Sequence, residues 1–187
     1  MNDIKVIATD VDGTLTNGDY LVSSSGDISK NFNTRDFEKM IVLAENNYHI
    51  VLITGSNDGC IENKLNHITK FNGKIISNLS EEKRCKEILL SEVKKEGGIY
   101  LYSDVNGSDL KYNKIKEFLS YLNYDMDNLL YFGDSYNDLR LIEESGFSIC
   151  PRDSVCAVKD KADKVSMFNG GSRFFEKSTC FLTKNFV

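Results

Sequence analysis

The chain has 187 residues, 41% of them hydrophobic, with 23 basic against 28 acidic side chains and a net charge of -5. That length fits one domain, spanning 1–187, that buries roughly 70% of the surface its unfolded chain exposes. An acidic balance without a basic block argues against extended nucleic-acid binding but leaves a small anionic substrate open. Five cysteines without a C-x-x-C pair, and only two histidines, argue for reduced thiols over zinc or a disulfide framework. No stretch approaches a membrane span, and the start MNDIKVIATD lacks a charged and apolar leader, so no membrane association and a soluble cytoplasmic protein are expected.

An apolar run, residues 5–9, reads as a buried strand that breaks into DVDGTLT at residues 10–16. Asp10 and Asp12 alternate, so on a regular strand they would face opposite ways. Both reach one reactant only if the chain turns there, and Gly13 supplies the turn. Alone, the pattern is also an ordinary Asp-Gly turn. Tyr20-Leu21-Val22, a Ser/Gly turn and Ile28 to Phe32 then read as a hairpin over about 19–33. Phe37, Met40, Ile41 and Ala44 have helical spacing, with Thr34 as N-cap.

The second strand, 49–53, runs into Thr54-Gly55-Ser56, and Ile61, Leu65 and Ile68 mark a helix. Residues 74–77 read as a short strand, and Ser80 to Lys95 as a helix with acidic residues in its first turn and lysines in its last. Residues 99–102 form a strand leading towards Lys111, and Ile115, Phe118, Leu119 and Leu122 mark the following helix. A strand from 129 runs into Gly133-Asp134-Ser135-Tyr136-Asn137-Asp138, followed by a short helix to Glu144, a strand at 147–150 and another near 164–165. Continuous apolar strands separated by helices indicate an α/β, Rossmann-like parallel sheet with helices on both faces. Such sheets bind ligands at the carboxyl ends of their strands, which places all the polar groups just named on one edge.

DVDGTLT, Thr54 at the end of the second strand, a lysine at a helix start and GDSYND after a later strand resemble the four motifs of the haloacid dehalogenase superfamily of phosphohydrolases, in order and across essentially the whole chain. The hairpin followed by Phe32-Asn33-Thr34-Arg35-Asp36, and the late Gly170-Gly171, resemble its phosphatases for eight- and nine-carbon keto-sugar acid phosphates. The resemblance implies Asp10 as nucleophile forming an aspartyl-phosphate and Asp12 as acid and then base. It implies Mg²⁺ held by Asp10, the backbone carbonyl of Asp12 and Asp134, an oxygen-only shell suited to that ion. Thr54 and amides near Gly55 would hold the phosphoryl group, and Lys111 would offset its charge. Lys114 also lies near that helix start, but the interval from Lys111 to the Gly133-Asp134 pair fits the family better.

Asp138 has two readings, a capping-box partner of Ser135 and a support for the metal and lysine. Arg35 and Asp36 either orient the hairpin through an ion pair or touch substrate, while His49 and His67 match no motif and read as structural. Asp10, Asp12 and Asp134 converging at about 4 Å would repel by about 4 kcal/mol per pair at an effective dielectric of about 20, so such a cluster needs cations. Relatives of the sugar-acid group commonly have arginine after the second-motif glycine and a second aspartate after the Gly-Asp pair; here Ser56 and Ser135 stand instead. The insertion over about 70–97 falls where larger relatives carry a cap, yet is too short for a full cap domain.

The expected activity is Mg²⁺-dependent hydrolysis of a small phosphorylated metabolite, a sugar or keto-sugar acid phosphate, in a homo-oligomer, a tetramer assembled through the hairpins. The alternatives are a non-enzymatic phosphoacceptor domain and a phosphomutase.

Overall fold

The computed structural model describes residues 3–72 and 96–183. Six parallel strands form one sheet: β1 (Val6–Thr9), β4 (His49–Ile53), β5 (Gly98–Tyr102), β6 (Leu129–Phe132), β7 (Phe147–Cys150) and β8 (Lys164–Val165), in the order β5-β4-β1-β6-β7-β8. The central strands are buried on both faces, which is why their sequences are apolar without alternation. β2 (Leu21–Val22) and β3 (Ile28–Ser29) pair antiparallel as the expected hairpin.

Helices cover both faces. Ile7, Ile50, Leu52, Leu130 and Phe132 pack on one side with Phe37, Met40 and Leu43 of α1 (Thr34–Glu45), Ile61 and Leu65 of α2 (Cys60–Asn72), and Phe174 and Phe175 of α6 (Phe174–Ser178). Val6, Ala8, Val51, Ile53 and Tyr131 pack on the other with Ile115 and Phe118 of α3 (Ser108–Tyr121), Leu141 and Ile142 of α4 (Leu139–Glu144), and Val158 of α5 (Cys156–Lys159). Phe132 meets the rings of Phe174 and Phe175 with centroids 5.4 and 5.3 Å away, which fixes the end of β6 where the fourth motif begins.

Two local expectations change. The N-cap of α1 is Asn33, not Thr34: Asn33 is extended and its side-chain oxygen accepts the Arg35 N–H at 3.1 Å, while Thr34 is already helical. Arg35 and Asp36 form no ion pair with each other. Arg35 pairs with Glu38 on the exposed face, whereas Asp36 is buried and accepts the backbone N–H of Glu176 at 2.8 Å, tying α1 to α6. The short strand at 74–77, the Ser80 to Lys95 helix and most of the 70–97 insertion lie outside the described residues. Cys60, Cys150, Cys156 and Cys180 are free thiols. Among the described residues no helix is long and apolar enough to cross a membrane.

Candidate active site

The parallel register aligns the strand ends: Thr9 of β1 pairs with Leu52 of β4 and with Phe132 of β6. Residues just beyond them, Asp10, Thr54 and Asp134, therefore emerge on one edge of the sheet. Asp10 is held there by its backbone N–H, which donates to the Phe132 carbonyl at 2.8 Å.

Gly13 makes the turn that brings the loop back, with φ +89°. A Cβ at that position would lie 2.3 Å from Oδ2 of Asp134, so the turn requires glycine for its dihedral and for its room. Thr14 in the same loop donates to Asp134 Oδ1 at 3.0 Å, joining the first and fourth motifs directly. The late glycines close the loop from behind: the Gly171 N–H donates to the Thr14 carbonyl, and a Cβ on Gly170 would meet the Gly13 carbonyl oxygen at 2.0 Å.

Lys111, on the first turn of α3, is 2% exposed, and its Nζ lies 2.5 Å from Asp10 Oδ1 and 2.8 Å from Asp138 Oδ1. Lys114 pairs instead with Glu117 at 3.9 Å. The capping and the lysine-supporting readings of Asp138 hold at once. Its Oδ2 accepts the backbone N–H groups of Asp134 and Ser135, each at 3.1 Å, and its Oδ1 accepts Lys111 and, at 2.7 Å, the hydroxyl of Tyr131. One buried carboxylate thus caps the turn at 136–138 and fixes the lysine.

Carboxylate oxygens of Asp10, Asp134 and Asp138 lie within 4.8 Å of one another. Burial is the largest influence on the Asp10 carboxyl and pushes it up; Lys111 pulls it down, the charges of Asp138 and Asp134 push it up again, and the net direction is upward. Burial, and then the charge of Asp138, raise Asp134 to about 7. Lys111 stays protonated, since its two carboxylate partners outweigh its own burial. With all three ionised, one ammonium would face three carboxylates, and the upward shifts of Asp10 and Asp134 mark the negative excess, made only of hard oxygen donors, that a cation would relieve. That donor set fits a small divalent cation and is unsuited to a soft metal.

Asp12 is half-buried and turned towards the hairpin side. Its Oδ2 accepts the Thr54 hydroxyl at 3.1 Å and its Oδ1 meets Lys30 Nζ at 2.6 Å. Thr54 also accepts the Ser56 N–H at 3.0 Å. Gly55 is crowded by Asn106, whose side-chain oxygen would lie 2.2 Å from a Cβ there, so the second-motif loop rests against the loop after β5. Lys30, Asp58, Thr14 and Tyr131 were not singled out by the sequence reading. Lys30 directly follows a hairpin strand and Asp58 lies in a Ser-Asn-Asp-Gly stretch that reads as a turn, so neither carries a spacing signal. His49 is buried among Tyr100, Phe118 and Tyr124, as a structural residue should be.

The chain is similar to 3-deoxy-D-manno-octulosonate 8-phosphate phosphatase from Salmonella typhi, with 24% identity over 90% of this chain and 73% of that protein. Among solved structures it resembles 3-deoxy-D-manno-octulosonate 8-phosphate phosphatase from Yersinia pestis, with a TM-score of 0.74 at 21% identity over 97% of this chain and 82% of that one. The enzyme of the same name from Moraxella catarrhalis, solved with a magnesium ion, a phosphate ion and a KDO molecule, matches with a TM-score of 0.72 at 20% identity over 98% and 87% of the two chains. These structural likenesses establish a shared fold. Residues 61–170, more than half of the chain, match the family model of the haloacid dehalogenase-like hydrolases. With that match and the four motifs meeting on one sheet edge, the chain belongs to the haloacid dehalogenase-like hydrolase family and is an enzyme.

Proposed function

We propose that the chain is a Mg²⁺-dependent phosphomonoesterase acting on a small phosphorylated metabolite, a sugar or keto-sugar acid phosphate, as a single domain spanning 1–187. The observation that carries this reading is the buried contact of Lys111 with Asp10, beside Asp134 and Asp138. It leaves a nucleophilic carboxylate with a fixed ammonium neighbour and an acidic cradle for a cation.

Asp10 attacks phosphorus while the bond from phosphorus to the leaving oxygen breaks, and Asp12 gives that oxygen its proton. In the second half Asp12 takes a proton from water, the water oxygen attacks phosphorus, and the bond to Asp10 breaks to release inorganic phosphate. Asp10, the Asp12 backbone carbonyl and Asp134 would hold Mg²⁺, which supplies positive charge for the transferring phosphoryl group. Thr54, amides near Gly55 and Lys111 position that group. The likeness to the 3-deoxy-D-manno-octulosonate 8-phosphate phosphatases just described supports the sugar-acid substrate class. Hairpin residues Tyr20, Leu21 and Val22 are exposed, Leu21 to 74%. They are the surface through which the chain assembles as a homo-oligomer, a tetramer; a monomeric mass by light scattering at micromolar concentration overturns that assembly.

A phosphometabolite panel with Mg²⁺, read by phosphate release, tests the reading. Multiple turnovers are expected on at least one sugar or sugar-acid phosphate, and Asp10→Asn should abolish them while leaving the circular dichroism spectrum unchanged. Modification that stops after one equivalent points to a phosphoacceptor domain, and isomer formation without free phosphate to a mutase.

A further inference from the structure

We propose that Lys30 is a positioning residue for the proton-transfer step, setting the orientation of the Asp12 carboxyl from the hairpin. Lys30 follows β3, and its side chain is 7% exposed although the neighbouring hairpin strands lie in solvent. Its Nζ lies 2.6 Å from Asp12 Oδ1, 2.5 Å from Asp58 Oδ2 and 3.0 Å from Ser56 Oγ. An ammonium has three N–H donors, and these three acceptors match them, so Lys30 has no donor left over for a substrate. It therefore acts through Asp12.

The Asp12 carboxylate is gripped on both oxygens, by Lys30 at Oδ1 and by Thr54 at Oδ2, which removes its rotational freedom. Asp58 is locked in turn: it accepts the Ser56 hydroxyl at 2.6 Å and the Cys60 backbone N–H at 2.8 Å, so the far end of the clamp rests on the start of α2. Lys30 thus links a hairpin, the first motif and the loop after the second. A general acid contributes only when aimed at the oxygen it protonates, and Lys30 supplies that aim. In phosphoryl transfer to Asp10 the phosphorus–oxygen bond breaks and its electron pair stays on the leaving oxygen; a proton carried on Asp12 Oδ2, with Lys30 still holding Oδ1, passes to that oxygen and leaves Asp12 as the carboxylate.

This assignment rests on the phosphomonoesterase reading, and leaving-group dependence separates the two. p-Nitrophenolate departs with little help from an acid, whereas the alkoxide of glycerol 3-phosphate needs a proton. Because kcat/KM reports only the steps through the first irreversible one, it isolates phosphoryl transfer from the later hydrolysis. Lys30→Met is expected to lower kcat/KM for glycerol 3-phosphate by about 100-fold, within the range of general acid catalysis. The loss on p-nitrophenyl phosphate should be several times smaller, and Lys30→Arg should restore most of the lost rate. Asp58→Asn, which leaves Lys30 in place but loosens it, should show the same selectivity with a smaller loss. Equal losses on both esters in Lys30→Met and Asp58→Asn, or no loss on either ester, overturn the assignment alone. A folded wild-type enzyme inactive on both esters and on the whole metabolite panel overturns the phosphatase reading and this assignment with it.

Discussion

Lys111 and Asp138 lie 27 residues apart in sequence and 2.8 Å apart in space, both buried, and together they set the charge of the site before any ligand arrives. The ammonium answers two carboxylates, and Asp138 answers two backbone N–H groups as well as the lysine. Removing the lysine strands Asp10 and Asp138 in a buried setting. Lys111→Met should cost about 3–5 kcal/mol of stability, the usual result of breaking a buried pair from one side. Urea unfolding measures it, and a loss below about 1 kcal/mol, the scale of an exposed pair, would show that water reaches the cluster.

The crowded carboxylates predict stabilisation by the cation itself. Mg²⁺ at 100 times its dissociation constant should add about 2.7 kcal/mol to the folded state and raise the melting temperature accordingly. Asp134→Asn should remove most of that shift, whereas the exposed Asp3→Asn should leave it intact. A melting temperature indifferent to Mg²⁺ in the wild type would count against a resident cation.

Gly13→Ala tests the turn. The positive φ costs a residue with a Cβ about 1–2 kcal/mol, and the added methyl also falls on the Asp134 carboxylate. The variant should lose more stability than that dihedral cost alone and bind Mg²⁺ more weakly, measured by urea unfolding and calorimetric titration. Gly26→Ala, also at positive φ but with open space around its Cβ position, should show the dihedral penalty without the change in metal affinity.

Two buried groups outside the acidic cluster pull the pH dependence of stability in opposite directions. Burial raises Asp36 from 3.8 to about 6, partly offset by the backbone N–H of Glu176, with the Glu176 carboxylate and Arg173 also nearby. Its folded form binds the proton more tightly, so its contribution is complete below pH 4 and is lost as pH rises to 6, by about 3 kcal/mol. Burial lowers His49 from 6.5 to about 4. Its unfolded form binds the proton more tightly, so stability is lost as pH falls from 6.5 towards 4, by about 3 kcal/mol. Relative to wild type, Asp36→Asn should steepen acid destabilisation between pH 4 and 6, and His49→Gln should flatten or reverse it. Denaturant melts at half-unit pH intervals measure both slopes.

Much of this fold was legible before any coordinates. Uninterrupted apolar runs such as His49-Ile50-Val51-Leu52-Ile53 specify strands buried on both faces, and helical spacing between them leaves a parallel sheet as the economical arrangement. Asp10, Thr54 and Asp134 could be chosen because each stands just after a strand, where backbone direction places the side chain on the sheet edge, whereas the choice of Lys111 over Lys114 came from the family resemblance and its interval to the Gly133-Asp134 pair. The N-cap of α1 was misplaced by one residue because Asn33 and Thr34 are both good caps, and only the backbone dihedrals separate them.

Sequence alone thus determined the sheet, its functional edge and the residues that strand ends deliver to it, because hydrophobic periodicity and chain direction are local properties. Tertiary structure decided what those residues touch. That Asp138 caps a turn and holds a lysine at once, that Asp36 ties two helices together, and that Lys30 reaches Asp12 from a solvent-exposed hairpin depend on segments distant in sequence. No pattern along the chain encodes such pairs, since a long charged side chain is free to reach any of several neighbours until packing removes the alternatives.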